Sequence, residues 1–233
     1  KRMRKSIEQM GSSVKSASLV DEGVMVQSDL SLFTFNDSYR DRTFWHIWTM
    51  ITFSMMYAFF MKVAFKSYGS TIYSDDAYLT NTAKIGFLTA AISRFGWAAL
   101  QEAIGFKKVY TILLLLQISL SLSMTSVAHN PILYTIWVCT TWSCEGGQQS
   151  IFPALAGQVY GTELGARVNA LFFTGFGISA VMGVVFNNTV VPKLGWNAMF
   201  IILGSFSIIS FIMLLFFKPI KTTFIPYDDA REK

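Results

Sequence analysis

Residues 168–191, VNALFFTGFGISAVMGVVFNNTVV, and residues 196–217, WNAMFIILGSFSIISFIMLLFF, contain no charged side chain. A helix needs about 20 apolar residues, each rising about 1.5 Å, to cross a hydrocarbon core of about 30 Å. Both stretches are long enough, and their apolar residues are continuous rather than alternating. They therefore predict membrane-spanning helices and not barrel strands.

Four more stretches of the chain have the same apolar character. Lys62 lies near the far end of the first, Arg94 interrupts the second, and Glu145 lies inside the fourth. The connections are short, so we expect an all-α membrane protein with one six-helix transmembrane bundle over residues 43–217. The expected spans are about 44–65, 84–103, 109–128, 132–152, 168–191 and 196–217.

The composition supports a membrane environment. Of 233 residues, 52% are hydrophobic and only 14% are charged, whereas soluble domains carry about 25% charged residues. The net charge is +5, but the basic residues lie between apolar runs and not on a polar, aromatic-bearing surface. We expect the lipid bilayer as a partner and no nucleic acid.

The distribution of Lys and Arg predicts the orientation. One side carries the polar arm of residues 1–42, Lys107, Lys108, Arg167 and the tail of residues 218–233, and it holds most of the basic residues. Because positively charged loops resist translocation, both termini are expected inside, in the cytoplasm or the mitochondrial matrix. The expected location is therefore the plasma membrane or the mitochondrial inner membrane. The opposite side carries only Lys62, Lys66, Lys84 and Lys193.

Residues suited to catalysis or metal binding are scarce. Cys139 and Cys144 lie in one helix, and His46 and His129 lie at opposite ends of different helices, so no metal-ligand spacing exists. A catalytic triad and a phosphate-binding glycine loop are also not visible. We expect no metal, no cofactor and no enzymatic activity.

Two charged residues lie at membrane depth, where an unpaired charge is costly. Arg94 and Glu145 either form an ion pair with each other, or Arg94 faces a water-filled cavity and offers its planar fork to a carboxylate substrate. In the second case Glu145 is a counter-ion or a proton-coupling group. The polar residues Gln148, Gln149 and Asn169 would then face the same cavity.

Two sequence stretches resemble one transporter family. Residues 93–110, SRFGWAALQEAIGFKKVY, are similar to the loop between the eighth and ninth helices of major facilitator superfamily transporters, nearest to the oxalate/formate antiporter-like branch. Residues 145–183, EGGQQSIFPALAGQVYGTELGARVNALFFTGFGISAVMG, resemble the tenth and eleventh helices of that branch. The resemblance implies that the bundle is the C-terminal half of a twelve-helix transporter, with residues 1–42 as the central inner loop.

The resemblance also implies roles for individual residues. In this branch and in the related monocarboxylate transporters, an Arg that matches Arg94 engages the substrate carboxylate. Phe106 replaces an Arg of the loop, which weakens its charge latch, and Phe176 stands where dicarboxylate-handling relatives have a Lys, which favours a monocarboxylate. The residues that the resemblance assigns to the gating loop are Trp97, Glu102, Gly105, Lys107 and Lys108.

The expected function is secondary transport of small organic anions, by exchange or proton coupling through alternating access. Such transporters place their site between two six-helix halves, and this chain supplies one. It is therefore expected to be a piece of a longer transporter, to pair with a second six-helix half, or to be a retained scaffold. The alternative function is that of a non-transporting accessory subunit in a large membrane complex such as a mitochondrial respiratory assembly.

Overall fold

The computed structural model describes residues 40–217, of which residues 162–163 are described by their backbone alone, and these residues contain helices and no strand. The arm expected over residues 1–42 lies outside the described residues except at its end, and the tail of residues 218–233 lies outside them entirely. The helices are α1 (Arg42–Gly69), α2 (Asp76–Ile104), α3 (Phe106–Val127), α4 (Pro131–Tyr160), α5 (Thr162–Val185) and α6 (Val191–Phe216).

All helices except α5 are longer than the spans expected from hydropathy. α2, for example, begins at Asp76 rather than near residue 84, because Asp75 caps it by accepting hydrogen bonds from the backbone N–H groups of Ala77 and Tyr78 at 2.9 and 3.1 Å. Caps and backbone conformation decide where a helix begins, and a helix can continue beyond the hydrocarbon layer.

Three helical runs among the described residues are long and apolar enough to cross a membrane by themselves: Arg42–Gly69, Phe106–Val127 and Leu164–Phe216. The third has 53 residues; it continues from α5 through a π-helical turn, Phe186–Val190, into α6. Gly195 interrupts this run with φ 78° and ψ 169°. α2 and α4 have 29 and 30 residues, but polar side chains lower their hydropathy. The expected all-α class is confirmed.

Single glycines reverse the chain at two junctions. Gly105 joins α2 to α3 with φ 85°, and Gly161 joins α4 to α5 with φ 81°. A residue with a Cβ pays a steric penalty at such positive φ values, so glycine lets two long helices meet with almost no loop. These short junctions make consecutive helices antiparallel neighbours.

The start of α1, both glycine junctions and the end of α6 meet at one end of the bundle. Lys107 Nζ donates to the carbonyl oxygens of Leu215 and Phe217 at 3.3 and 3.2 Å, which satisfies carbonyls at the end of α6. Tyr160 at the end of α4 donates to Asp41 Oδ2 at 3.4 Å. We call this end the basic end, after Arg42, Lys107, Lys108 and Arg167.

The helices pack around α1, which lies between α5 and α6, while α3 lies between α4 and α6. α2 contacts the rest of the bundle mostly through α4. The outer face of α2 is consequently exposed, and Phe95 is 80% exposed. These contacts and this exposure place α2 at the edge of the described bundle.

Close contact between α2 and α4 depends on Gly146. A Cβ at this position would lie 2.4 Å from the carbonyl oxygen of Ala90 and 3.1 Å from Ser93 Oγ, and the former is backbone that cannot rotate away. Gly157 lies further along the same helix, and a Cβ there would have no neighbour within 4 Å.

We expect Gly146→Ala to separate α2 from α4 and to lower the free energy of unfolding by about 1–3 kcal/mol, the usual cost of overpacking. Gly157→Ala is the matched control, because both substitutions make the same change in helix propensity. SDS titration of the purified protein in mixed micelles measures both. Equal stability of the two variants would contradict this account of the α2–α4 contact.

Candidate functional site

A buried ion pair lies near the middle of α4. The Glu145 side chain is 0% exposed, and Lys62 Nζ from α1 donates to Glu145 Oε1 at 2.8 Å and lies 2.8 Å from Oε2. The Lys62 side chain is 25% exposed. Lys62 lies in the C-terminal part of α1, and the side chains of a helix tilt toward the N-terminus of that helix. This tilt directs the Lys62 side chain toward the centre of the bundle, where it reaches Glu145.

This pair changes one interpretation of the sequence. A direct ion pair between Arg94 and Glu145 was one of the two expectations, but the structure shows Lys62 as the carboxylate's ionic partner. Arg94 instead donates through Nη2 to the side-chain oxygen of Gln149. Gln149 follows Glu145 by one helical turn and donates its amide N–H to Glu145 Oε1.

Three of the five predicted binding residues are therefore joined in one chain of hydrogen bonds. We call Lys62, Glu145, Gln149 and Arg94 the polar chain; it connects α1, α4 and α2. Arg94 is exposed and forms no ion pair with any described residue. The polar chain thus contains two cations and one anion, and only the Lys62 charge is neutralised.

Gln148 does not join the polar chain. Its side-chain oxygen accepts from Ser54 Oγ at 2.6 Å, and its Nε2 donates to Gln117 Oε1 at 2.7 Å. All three residues are buried, between α1, α3 and α4. Neighbouring residues of a helix point about 100° apart, so Gln148 faces the bundle core while Gln149 faces Arg94.

Asn169 also lies apart from the polar chain. It is on α5, and its Oδ1 is buried without a hydrogen-bond partner among the described residues. Earlier in α5, the Gly165 backbone packs against α4, since a Cβ at this position would lie 2.7 Å from the Ala156 carbonyl oxygen. No hydrogen bond between described residues connects Asn169 to Arg94 or Gln149.

Trp97 belongs to the surroundings of Arg94. Its Nε1 donates to Ser143 Oγ at 3.1 Å, and its ring lies so close to Gly147 that a Cβ there would approach the ring to 2.7 Å. Trp97 therefore fixes α2 against α4 one turn from Arg94.

The other predicted loop residues lie at the basic end. Gly105 makes the α2–α3 junction and Lys107 binds the end of α6, while Glu102 and Lys108 are exposed. Phe106, which replaces an Arg of the resembled loop, is only 6% exposed and packs against Phe152 and Phe217. Apolar packing and backbone hydrogen bonds therefore hold this junction.

Lys62 is the residue of the polar chain that sequence reasoning missed. Its position near the end of an apolar span suggests a side chain that reaches the interface, and only its contact with Glu145 reveals another role. Two aromatic rings, those of Phe59 and Phe87, lie 5.8 Å from Nζ, a distance that permits cation–π attraction. The sequence did contain a signal that marks Lys62 as a candidate site residue, because it is a charged residue within an apolar span, as Arg94 and Glu145 are.

Comparison with known protein families identifies the superfamily of this chain. Residues 44–233 match the Major Facilitator Superfamily. The chain belongs to this superfamily. No curated protein matches the sequence. Membership makes the chain an integral membrane protein of a transporter family and points to transport rather than catalysis, and the six described helices correspond to a half of the superfamily fold.

We expect Lys62→Met to destabilise the protein by about 3 kcal/mol, because the Glu145 carboxylate would remain buried without its counter-charge. Lys66→Met is the matched control on the same helix. Its partner Asp76 lies at 2.7 Å, but the two side chains are 46% and 75% exposed, so the loss should be at most about 1 kcal/mol. Denaturation in mixed micelles measures both, and equal losses would contradict a buried pair at Glu145.

Proposed function

We propose that this protein transports small organic anions with a single negative charge, namely monocarboxylates, and that Arg94 is the anion-binding group. The observation that carries this proposal is the charge state of the polar chain. Lys62 neutralises Glu145, whereas Arg94 has only the neutral Gln149 as a partner among the described residues. One positive charge therefore remains for a substrate.

The geometry of Arg94 suits a carboxylate. Its Nη2 donates to Gln149, which restrains the guanidinium, and its other N–H groups donate to no described residue, so they can bind a ligand. A guanidinium binds a carboxylate through two parallel hydrogen bonds, which a lysine ammonium does not reproduce. The preorganised fork supports recognition of a carboxylate rather than of a spherical anion.

The position of Arg94 supports a transport pathway. The residue lies inside a long helix, within the expected second span, and is exposed on the surface of the described bundle. A charge facing lipid at this depth is costly, so the exposed side of Arg94 is expected to face water or another protein segment. In this proposal that segment is a second six-helix half, and alternating access follows from movement of one half against the other.

The basic end is proposed to lie in the cytoplasm or the mitochondrial matrix. It holds Arg42, Lys107, Lys108 and Arg167, and both ends of the described chain lie there. This arrangement satisfies the preference of basic segments for the inner side.

We expect Arg94→Ala to reduce uptake of radiolabelled pyruvate by about 10- to 100-fold, the value of lost hydrogen bonds to a charged group. Cells or proteoliposomes that contain the full chain provide the measurement. Arg94→Lys should retain part of the uptake, because it keeps the charge and loses the fork. Arg167→Ala is the control, because it removes an exposed Arg at the basic end. Unchanged uptake by Arg94→Ala would exclude Arg94 as the anion-binding group.

The same pyruvate-uptake assay distinguishes exchange from proton coupling. Exchange predicts that unlabelled pyruvate on the opposite side accelerates uptake, and proton coupling predicts acceleration by an inward proton gradient. Absence of both effects would exclude both proposed modes.

The basic end favours a second candidate, the accessory subunit. Phe106 is buried at the position of the latch arginine, and Glu102 forms no ion pair with another described residue, so the charge latch of the resembled loop is not formed among the described residues. An accessory subunit would co-purify with a large complex in mild detergent, and purification without any partner would contradict this candidate.

A further inference from the structure

We infer that Glu145 masks a second anion-binding group, Lys62, and that this masking restricts the site to substrates with one negative charge. The inference rests on the proposed function of Arg94 and deepens it. Without the Glu145 charge, the polar chain would present two cations, Lys62 and Arg94, to the same ligand.

The difference in exposure between the two partners supports this inference. Glu145 is 0% exposed while Lys62 is 25% exposed, so the carboxylate lies beneath the ammonium as seen from outside the bundle. The rings of Phe59 and Phe87, both 5.8 Å from Nζ, flank the ammonium. Removal of the carboxylate charge would leave Lys62 accessible and still bordered by two rings that attract a cation.

The spacing of the two cations suits a short dicarboxylate. One carboxylate oxygen of Glu145 and the side-chain amide of Gln149 separate Lys62 from Arg94. With ordinary hydrogen-bond lengths, the Lys62 ammonium and the nearest Arg94 nitrogen lie at most about 12 Å apart. A ligand with two carboxylates on a short carbon chain can therefore approach both groups.

The remaining charges near Lys62 do not provide the same masking. Lys66, one turn further along α1, has its own partner in Asp76 at 2.7 Å, and both are largely exposed. Among the described residues, Glu145 is therefore the anion that sets the charge of the polar chain. If the Lys62–Glu145 pair served only to hold α1 and α4 together, removal of the Glu145 charge would have no effect on ligand selectivity.

The test is a cycle of four proteins: the unmodified full chain, Glu145→Gln, Lys62→Met and the double variant. Binding of pyruvate and malonate, a monoanion and a dianion with three carbons each, is measured by calorimetry in lipid nanodiscs at pH 7.5. Glutamine has nearly the shape of glutamate and can still accept the hydrogen bond from Gln149. Lys66→Met is the control for loss of a cation from the same helix.

We expect the unmodified protein to prefer pyruvate and Glu145→Gln to raise the ratio of malonate to pyruvate affinity by at least about tenfold, since a hydrogen bond to a charged group is worth that much. Lys62→Met should weaken the binding of both anions, because Glu145 then cancels the charge of Arg94. The double variant should return to the selectivity of the unmodified protein, and Lys66→Met should not change it.

A Glu145→Gln protein that binds both anions with the original ratio would overturn the inference while leaving the role of Arg94 intact. If this variant does not fold, the same affinity ratio is measured for Glu145→Met, which removes the carboxylate charge and keeps Lys62. A raised ratio of malonate to pyruvate affinity supports masking, and an unchanged ratio overturns it. Binding of neither anion by the unmodified protein would overturn the proposed function and the inference together.

Discussion

The burial of Glu145 is the constraint on which the rest of the site depends. An ionised carboxylate that is 0% exposed in the middle of a helix requires a counter-charge and hydrogen-bond donors, because its burial removes the water that would otherwise supply them. Lys62 supplies the charge from α1 and Gln149 supplies an amide N–H from the next turn of α4. Both hydrogen bonds go to Oε1, and the Lys62 ammonium also lies 2.8 Å from Oε2. Because Lys62 neutralises the carboxylate, Arg94 is left with a neutral partner, and the charge balance of the site follows.

The same constraint connects the edge helix to the centre of the bundle. α2 packs mostly on α4, through close contacts that require Gly86, Gly146 and Gly147. Its outer face is exposed, so few other contacts restrain it. The Arg94–Gln149 hydrogen bond and the exposed Lys66–Asp76 ion pair, at 2.7 Å, are polar links that tie α2 to its neighbours. α2, which carries the unneutralised Arg94, is thus also the helix with the smallest share of the buried core.

The basic end is organised by apolar contacts and by the end of α6. Phe106, Phe152 and Phe217 pack together, and Lys107 donates to two carbonyl oxygens of the last turn. A lysine at a helix C-terminus is favourable because the unpaired carbonyls there carry partial negative charge. A junction held in this way separates only if α6 loses these hydrogen bonds and the Phe106 ring leaves the core.

Hydropathy, charge and glycine content are local properties, and the sequence by itself determined the features that depend on them. It predicted an all-α membrane bundle, marked Arg94 and Glu145 as exceptional, and identified the superfamily from residues near Arg94 and along α4 and α5. The tertiary structure alone decided which side chains meet. Whether Gln148 or Gln149 faces Arg94 depends on the rotation of α4 within the bundle, because adjacent helical residues point about 100° apart. The choice of Lys62 over Arg94 as the partner of Glu145 depends on how α1 and α2 are placed against α4. No local pattern encodes that placement, because it results from the packing of residues far apart in the chain.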